Sequence, residues 1–154
     1  MQISQLPYLD EHATTIAADV HDVWPVLVEA VGRAFSGAAT TLYARAIGCA
    51  DHAESGPRPL AEGSTLAGFR VAAAVPGAEL ALEGRHRFSS YALIFRLERL
   101  APGRSRLIAE SRAAFPGWSG GLYRLLVIGT GGHVVLLRHL LSGIRRRSEQ
   151  PYPV

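Results

Sequence analysis

The chain has 154 residues, 48% of them hydrophobic and 19% charged, which fits one folded domain with a single sizeable core and excludes a disordered protein. Its 16 basic and 13 acidic groups leave a formal net charge of only +3, too little for the basic stripe of a nucleic-acid binder. All the basic residues are Arg and none is Lys; with the abundant Ala and Gly, this points to a GC-rich bacterial genome.

The N-terminal stretch MQISQLPYLDEH carries no basic segment followed by a long apolar one, so no secretory signal is read and a cytoplasmic location is expected. Residues Glu11 to Ala18 read as a first strand. Asp19 suits a helix N-cap, and Asp22 adds an acidic first turn. Val20, Val23, Trp24, Leu27, Val28 and Val31 then recur at helical spacing. Pro25 would sit best if the helix began near Asp22, because first-turn amides need no helical partner. Gly32 and Gly37 mark its end. The run TTLYARAIGCA reads as a second strand, and its single cysteine, Cys49, as a buried inert thiol; one cysteine allows no intrachain disulfide.

After a Pro/Gly-rich loop, DHAESGPRPLAEGS, come four strand candidates: TLAGFRVAAAV, AELALEGRHRF, YALIFRLERL and SRLIAESRAAF. Turns at Pro76-Gly77, Ser89-Ser90 and Pro102-Gly103 separate them. Alternation puts Tyr91, Leu93, Phe95 and Leu97 on one face, with Leu107, Ala109, Ser111, Ala113 and Phe115. Leu80, Leu82, Gly84 and His86 share a face too, and Arg70 points away from Phe69 and Val71. This is an antiparallel meander with one buried face. Only the C-terminal apolar segment, Leu122 to Arg147, is long enough to cover it; as one helix it would span about 35–40 Å. The expected fold is α+β: a curved antiparallel sheet of about six strands wrapped around a long C-terminal helix.

That segment also holds three motif look-alikes. GWSGG fits a serine nucleophile pattern, but no Asp follows Ser119 and the preceding strand belongs to an antiparallel meander. GTGGHV lacks the third glycine and the second strand of a dinucleotide site. A membrane span is contradicted by Arg124, His133 and Arg138. Gly129, Gly131 and Gly132 predict a break, with Thr130 capping the longer helix, or else close approach of a ligand. Arg145-Arg146-Arg147 suits a helix C-terminus. The six histidines have no metal-ligand spacing: His133 and His139 fall on different helix faces, and His12, His21 and His52 lie near element ends. No metal or cofactor is expected.

Ile16-Ala17-Ala18 followed by Val23-Trp24, the hairpin FRVAAAVPGAELALEG and the run SRLIAESRAAFPG entering the last helix together resemble the START/SRPBCC (helix-grip) superfamily, polyketide cyclase/dehydrase-like. Asp19 stands where that family usually has proline. The resemblance covers about residues 11–147 and implies one domain with a short C-terminal tail, 148–154. It also implies a cavity between sheet and C-terminal helix for a hydrophobic or amphipathic small molecule. The candidate cavity-facing residues are Phe69, Val71, Leu82, His86, Tyr91, Leu93, Phe95, Ala109, Ser111, Ala113, Gly129, Gly132, His133 and Leu136, with His86 and Tyr91 as polar anchors. The small inward residues Ala73, Gly84, Ala109, Ser111 and Ala113 either leave ligand space or let the helix pack closer. Three functions follow as expectations: a small-molecule binder, a polyketide cyclase/aromatase-type enzyme using polar cavity groups, and a partner-binding protein whose cavity is filled. Partners are limited to the small molecule and a homodimer, with no nucleic acid and no membrane span.

Overall fold

The computed structural model describes residues 3–51, 53–118, 120–122, 124 and 131–150. Strand β1 (Tyr8–Ile16) leads into helix α1 (Val20–Ala34) and helix α2 (Ala38–Ala46). Then come β2 (Thr65–Leu66), β3 (Phe69–Val75), β4 (Glu79–Arg85), β5 (Ser90–Ala101), β6 (Arg104–Ala114) and the C-terminal helix α3 (Gly132–Glu149). The six strands form one open antiparallel sheet in the order β1-β6-β5-β4-β3-β2. The first strand is thus laid beside the last, and α1 and α2 occupy the long connection from one sheet edge to the other.

The meander forms where alternation and turn residues agree. Gly77 and Gly103, each at positive φ, close the β3–β4 and β5–β6 turns after Pro76 and Pro102. The six-strand α+β expectation is met, though by a different set of segments. The run TTLYARAIGCA is not a strand: Ala38–Ala46 is helical. Its Ala, Leu and Arg residues are good helix formers, and they outweigh the β preference of the threonines and Tyr43. The run TLAGFRVAAAV is two strands, because Gly68 at φ +90 turns the chain between β2 and β3. β1 also starts earlier than expected, at Tyr8.

A bulge between Val71 and Ala73 corrects one face assignment. Val71 pairs with Leu82, but Ala73 pairs with Ala81 and Ala74 with Leu80. The extra residue shifts the alternation, so Ala74, not Ala73, packs on the core. Helix α1 is capped by Asp19, whose side chain accepts from the His21 N–H. It therefore starts at Val20, earlier than Pro25 would prefer, and Pro25 lies inside the helix.

The core sits between the inner sheet face and two helices. Leu137, Leu141 and Ile144 form a seam on α3 at i, i+4, i+7. They meet Leu80, Leu82, Phe95, Leu107 and Ala109 of the sheet and Val23, Leu27, Val28 and Val31 of α1. The end of α3 is tied down as well: Glu149 Oε1 accepts from the Ala17 N–H at 2.9 Å, and Arg147 pairs with Glu29 at 3.1 Å. On the outer face, burial pushes the Glu110 carboxyl up, but Arg112 at 3.2 Å and Arg96 at 3.4 Å outweigh it and hold its pKa below the usual value. Ile94 and Ile108 are buried on that face too, so it is not uniformly wet.

The break predicted near the glycines falls at Gly131, which precedes α3 in the left-handed conformation at φ +73 with no side-chain cap. α3 has 18 residues, or about 27 Å, shorter than the single helix read from the sequence. Gly129 and Thr130 lie outside the described residues. Phe95 is completely buried at the centre of the core, so Phe95→Ala is expected to lower the unfolding free energy by about 3–5 kcal/mol, measured by urea denaturation.

Candidate functional site

At the end of the sheet where β5 begins and β6 ends, the inner face is not filled by the α3 seam. A cavity of about 440 Å³ lies there. Its floor is Tyr91 and Leu93 of β5, Ser111 and Ala113 of β6 and Phe69 of β3. Its walls are Thr40, Ala44 and Ile47 from α2 and its C-terminal turn, Phe35 after α1, His86 and Ser89 of the β4–β5 turn, and Leu136 and Leu137 of α3. Phe115, just past β6, lines it also, with the Arg124 guanidinium 5.9 Å from its ring centroid. Leu9 reaches the cavity as the extra residue of a bulge in β1.

Helix α2 is held over this space by main-chain hydrogen bonds near both ends. Ala67 N–H donates to Phe35 O before it, and Ala50 N–H to Arg85 O, Arg87 N–H to Ile47 O and Gly68 N–H to Asp51 O after it. The buried Cys49 thiol lies 3.7 Å from the Tyr91 hydroxyl, and burial pushes its pKa up, as expected for an inert thiol.

Tyr91 is the hub of the wall. Its hydroxyl donates to the Gly68 carbonyl. Its ring lies across Gly84, its partner on β4. A Cβ at Gly84 would collide with the Gly68 carbonyl oxygen and come within 2.6 Å of the Tyr91 ring. Gly84 therefore makes room for Tyr91 and for neither a ligand nor the helix. The aromatic contacts continue on both sides: Phe35 to Phe69 at 4.6 Å, Phe69 to Tyr91 at 5.2 Å and Tyr91 to His86 at 5.4 Å between ring centroids.

His86 is not on a strand face, as alternation implied, but in the β4–β5 turn. Its backbone N–H donates to Ser89 O at 2.9 Å, and the Phe88 N–H donates to its Nδ1 at 3.0 Å. Nδ1 being an acceptor, the ring proton sits on Nε2 and points to Ser89 Oγ at 3.2 Å. Burial lowers the His86 pKa from its ordinary 6.5, so the imidazole is neutral at pH 7.

Of the expected cavity residues, Phe69, His86, Tyr91, Leu93, Ser111, Ala113 and Leu136 do line the space. Val71, Leu82, Phe95 and Ala109 do not: each is at most 1% exposed and packed into the core at the other end. Gly132 and His133 open α3, the His133 side chain lies outside what is described, and so does Gly129. Sequence reasoning missed Phe35, Ile47 and Ser89, and put Phe115 on the buried face without assigning it to the cavity. The three apolar residues each stand beside a turn signal (Gly37, Gly48, Pro116-Gly117), where a large hydrophobic residue is itself a clue. Among the described residues there is no cluster of three metal-ligating side chains and no helix long and apolar enough to cross a membrane.

No family model and no curated protein matches this chain. Solved structures do. The Zhui aromatase/cyclase from Streptomyces sp. R1128 superposes with TM-score 0.59 at 15% identity, covering 94% of each chain. CalU16 from Micromonospora echinospora gives 0.56 at 16% identity over 92% of this chain and 76% of that one. The Aha1 dimer from Colwellia psychrerythraea gives 0.53 at 12% identity over 88% and 94%. The chain thus shares the fold of these proteins, an antiparallel sheet wrapped around a C-terminal helix, the helix-grip fold.

Two measurements test the wall. Gly84→Ala should cost about 1–3 kcal/mol of stability or more by denaturant unfolding, since the Tyr91 ring cannot stay where it is. For His86 the folded pKa is depressed, so its contribution is complete above the unfolded value of 6.5 and is lost as pH falls below it. Between about pH 7 and pH 5 the wild-type denaturation midpoint should fall more steeply than that of His86→Gln.

Proposed function

We propose that the protein binds a hydrophobic or amphipathic small molecule in the cavity beneath α2 and the start of α3. The observation that carries this reading is the cavity itself: about 440 Å³, within the range of small-molecule sites, with mainly apolar and aromatic walls and a few polar groups in one region. A filled interior, as a pure partner-binding role would have, fits this volume poorly.

A cyclase/aromatase-type reaction is the second reading, favoured by the convergence of His86, Ser89, Tyr91 and Ser111 on one space and by the fold shared with an aromatase/cyclase. Binding is the better-supported role. The Tyr91 proton is directed to a backbone carbonyl, and His86 Nδ1 accepts a backbone N–H. Both side chains are thus built into the wall, whereas an acid–base pair would have to present its proton-exchanging atoms to a substrate. We further propose a cytoplasmic bacterial protein of one domain, with a homodimer as the assembly to test beside the monomer.

Native mass spectrometry of the purified protein, followed by solvent extraction, should reveal a co-purifying apolar molecule or uptake of an added one such as Nile red. Ala113→Phe, which places a ring in the cavity from its floor, should weaken Nile red binding by about tenfold or more. Unchanged binding in that variant would argue against this cavity as the site.

A further inference from the structure

The hydrogen bonds of the β4–β5 turn have a direction, and it ends inside the cavity. The Phe88 N–H donates to His86 Nδ1 at 3.0 Å, which leaves the proton on Nε2. That proton is donated to Ser89 Oγ at 3.2 Å. A hydroxyl has one proton, and with its oxygen already accepting from His86, that proton must go elsewhere. Ser89 is 4% exposed and lines the cavity, and among the described residues no second partner of its hydroxyl is seen. The hydroxyl is therefore a buried donor facing the cavity, and an unmet buried donor is costly.

The charges around it point the same way. Among the described residues the only formally charged residue on the lining is Arg112, and its side chain turns to the outer sheet face. Its guanidinium is engaged by Glu110 at 3.2 Å and the Leu6 carbonyl at 3.0 Å. A carboxylate entering the cavity would lose its water and meet no unengaged cation among the described lining residues, the nearby Arg124 guanidinium lying against the Phe115 ring.

We infer that the cavity selects uncharged ligands carrying a hydrogen-bond acceptor, such as a ketone oxygen, and that Ser89 is the specificity-determining donor. This rests on the ligand-binding reading above and narrows it to a class: neutral acceptor-bearing molecules over fatty-acid-like anions and over plain hydrocarbons.

The test uses three naphthalenes of similar shape, suited to the aromatic wall: 2-acetylnaphthalene, 2-ethylnaphthalene and 2-naphthoate, titrated into the full chain at neutral pH with calorimetric or fluorescence readout. The ketone should bind about fivefold more tightly than the ethyl compound, the worth of one hydrogen bond. It should exceed the carboxylate by about tenfold or more, since the anion is desolvated without a partner. Ser89→Ala should bring the ketone down to the level of the ethyl compound. The wild-type comparison needs no variant, so a folding defect in Ser89→Ala cannot obscure the result. Equal binding of ketone and ethyl compound, tightest binding of naphthoate, or a ketone preference that survives in Ser89→Ala overturns this inference while leaving the cavity reading intact. Failure of all three to bind overturns both.

Discussion

The arrangement follows from a mismatch of lengths. The longest strand, β5, has 12 residues and so extends about 40 Å, while the 18 residues of α3 extend about 27 Å. Both ends of the inner sheet face cannot be sealed by the same helix. The seam of Leu137, Leu141 and Ile144 commits α3 to one end, and the Glu149 contact to Ala17 and the Arg147 contact to Glu29 hold it there. α1 packs at that end as well, which is why Val71, Leu82, Phe95 and Ala109 are locked in a dense core. The other end is roofed by α2 and the beginning of α3, and the space beneath them remains.

Open space of this kind persists only if its walls cannot collapse. Here they are braced. Tyr91 is wedged across Gly84 and anchored to the Gly68 carbonyl, Phe69 stands against it on one side and His86 on the other. The Gly68 carbonyl belongs to the β2–β3 turn, and the same turn is bonded to the chain after α1 and after α2 through Ala67 and Gly68. The roof, the floor and the polar turn thus meet around one phenol ring. Polar groups that a sequence reader would assign to chemistry are part of this bracing, and Ser89, a residue with no motif around it, keeps a donor for the cavity.

The sheet was legible because its signals are local: alternation in β5 and β6, Pro-Gly turns, and an Asp19 cap. The fold implied by the superfamily resemblance was likewise carried by element order, and it is the fold found. What misled was also local. TTLYARAIGCA offers β-branched and aromatic residues, yet the docking of Ala44 and Ile47 toward the cavity favours a helix there. One extra residue at Ala72 moved Ala73 off the inner face, and no period-2 count can foresee a bulge. His86 was aimed inward by counting along a strand that in fact ends at Arg85; it does reach the cavity, but from a turn. The division of inward residues into core and cavity wall was not legible at all. It depends on where the helix seam lies along the sheet, a tertiary fact that Phe95 and Tyr91, four residues apart on one strand face, do not announce.

The central claim is that the inner face is packed at one end and open, apolar and accessible at the other. Crystals pressurised with xenon test it most directly, because xenon enters dry apolar cavities and needs no chemical complementarity. The account predicts a xenon site bounded by Ile47, Phe69, Leu93 and Leu136, with none among Leu80, Phe95, Leu107 and Ile144. Xenon absent from the first set, or bound within the second, would contradict it.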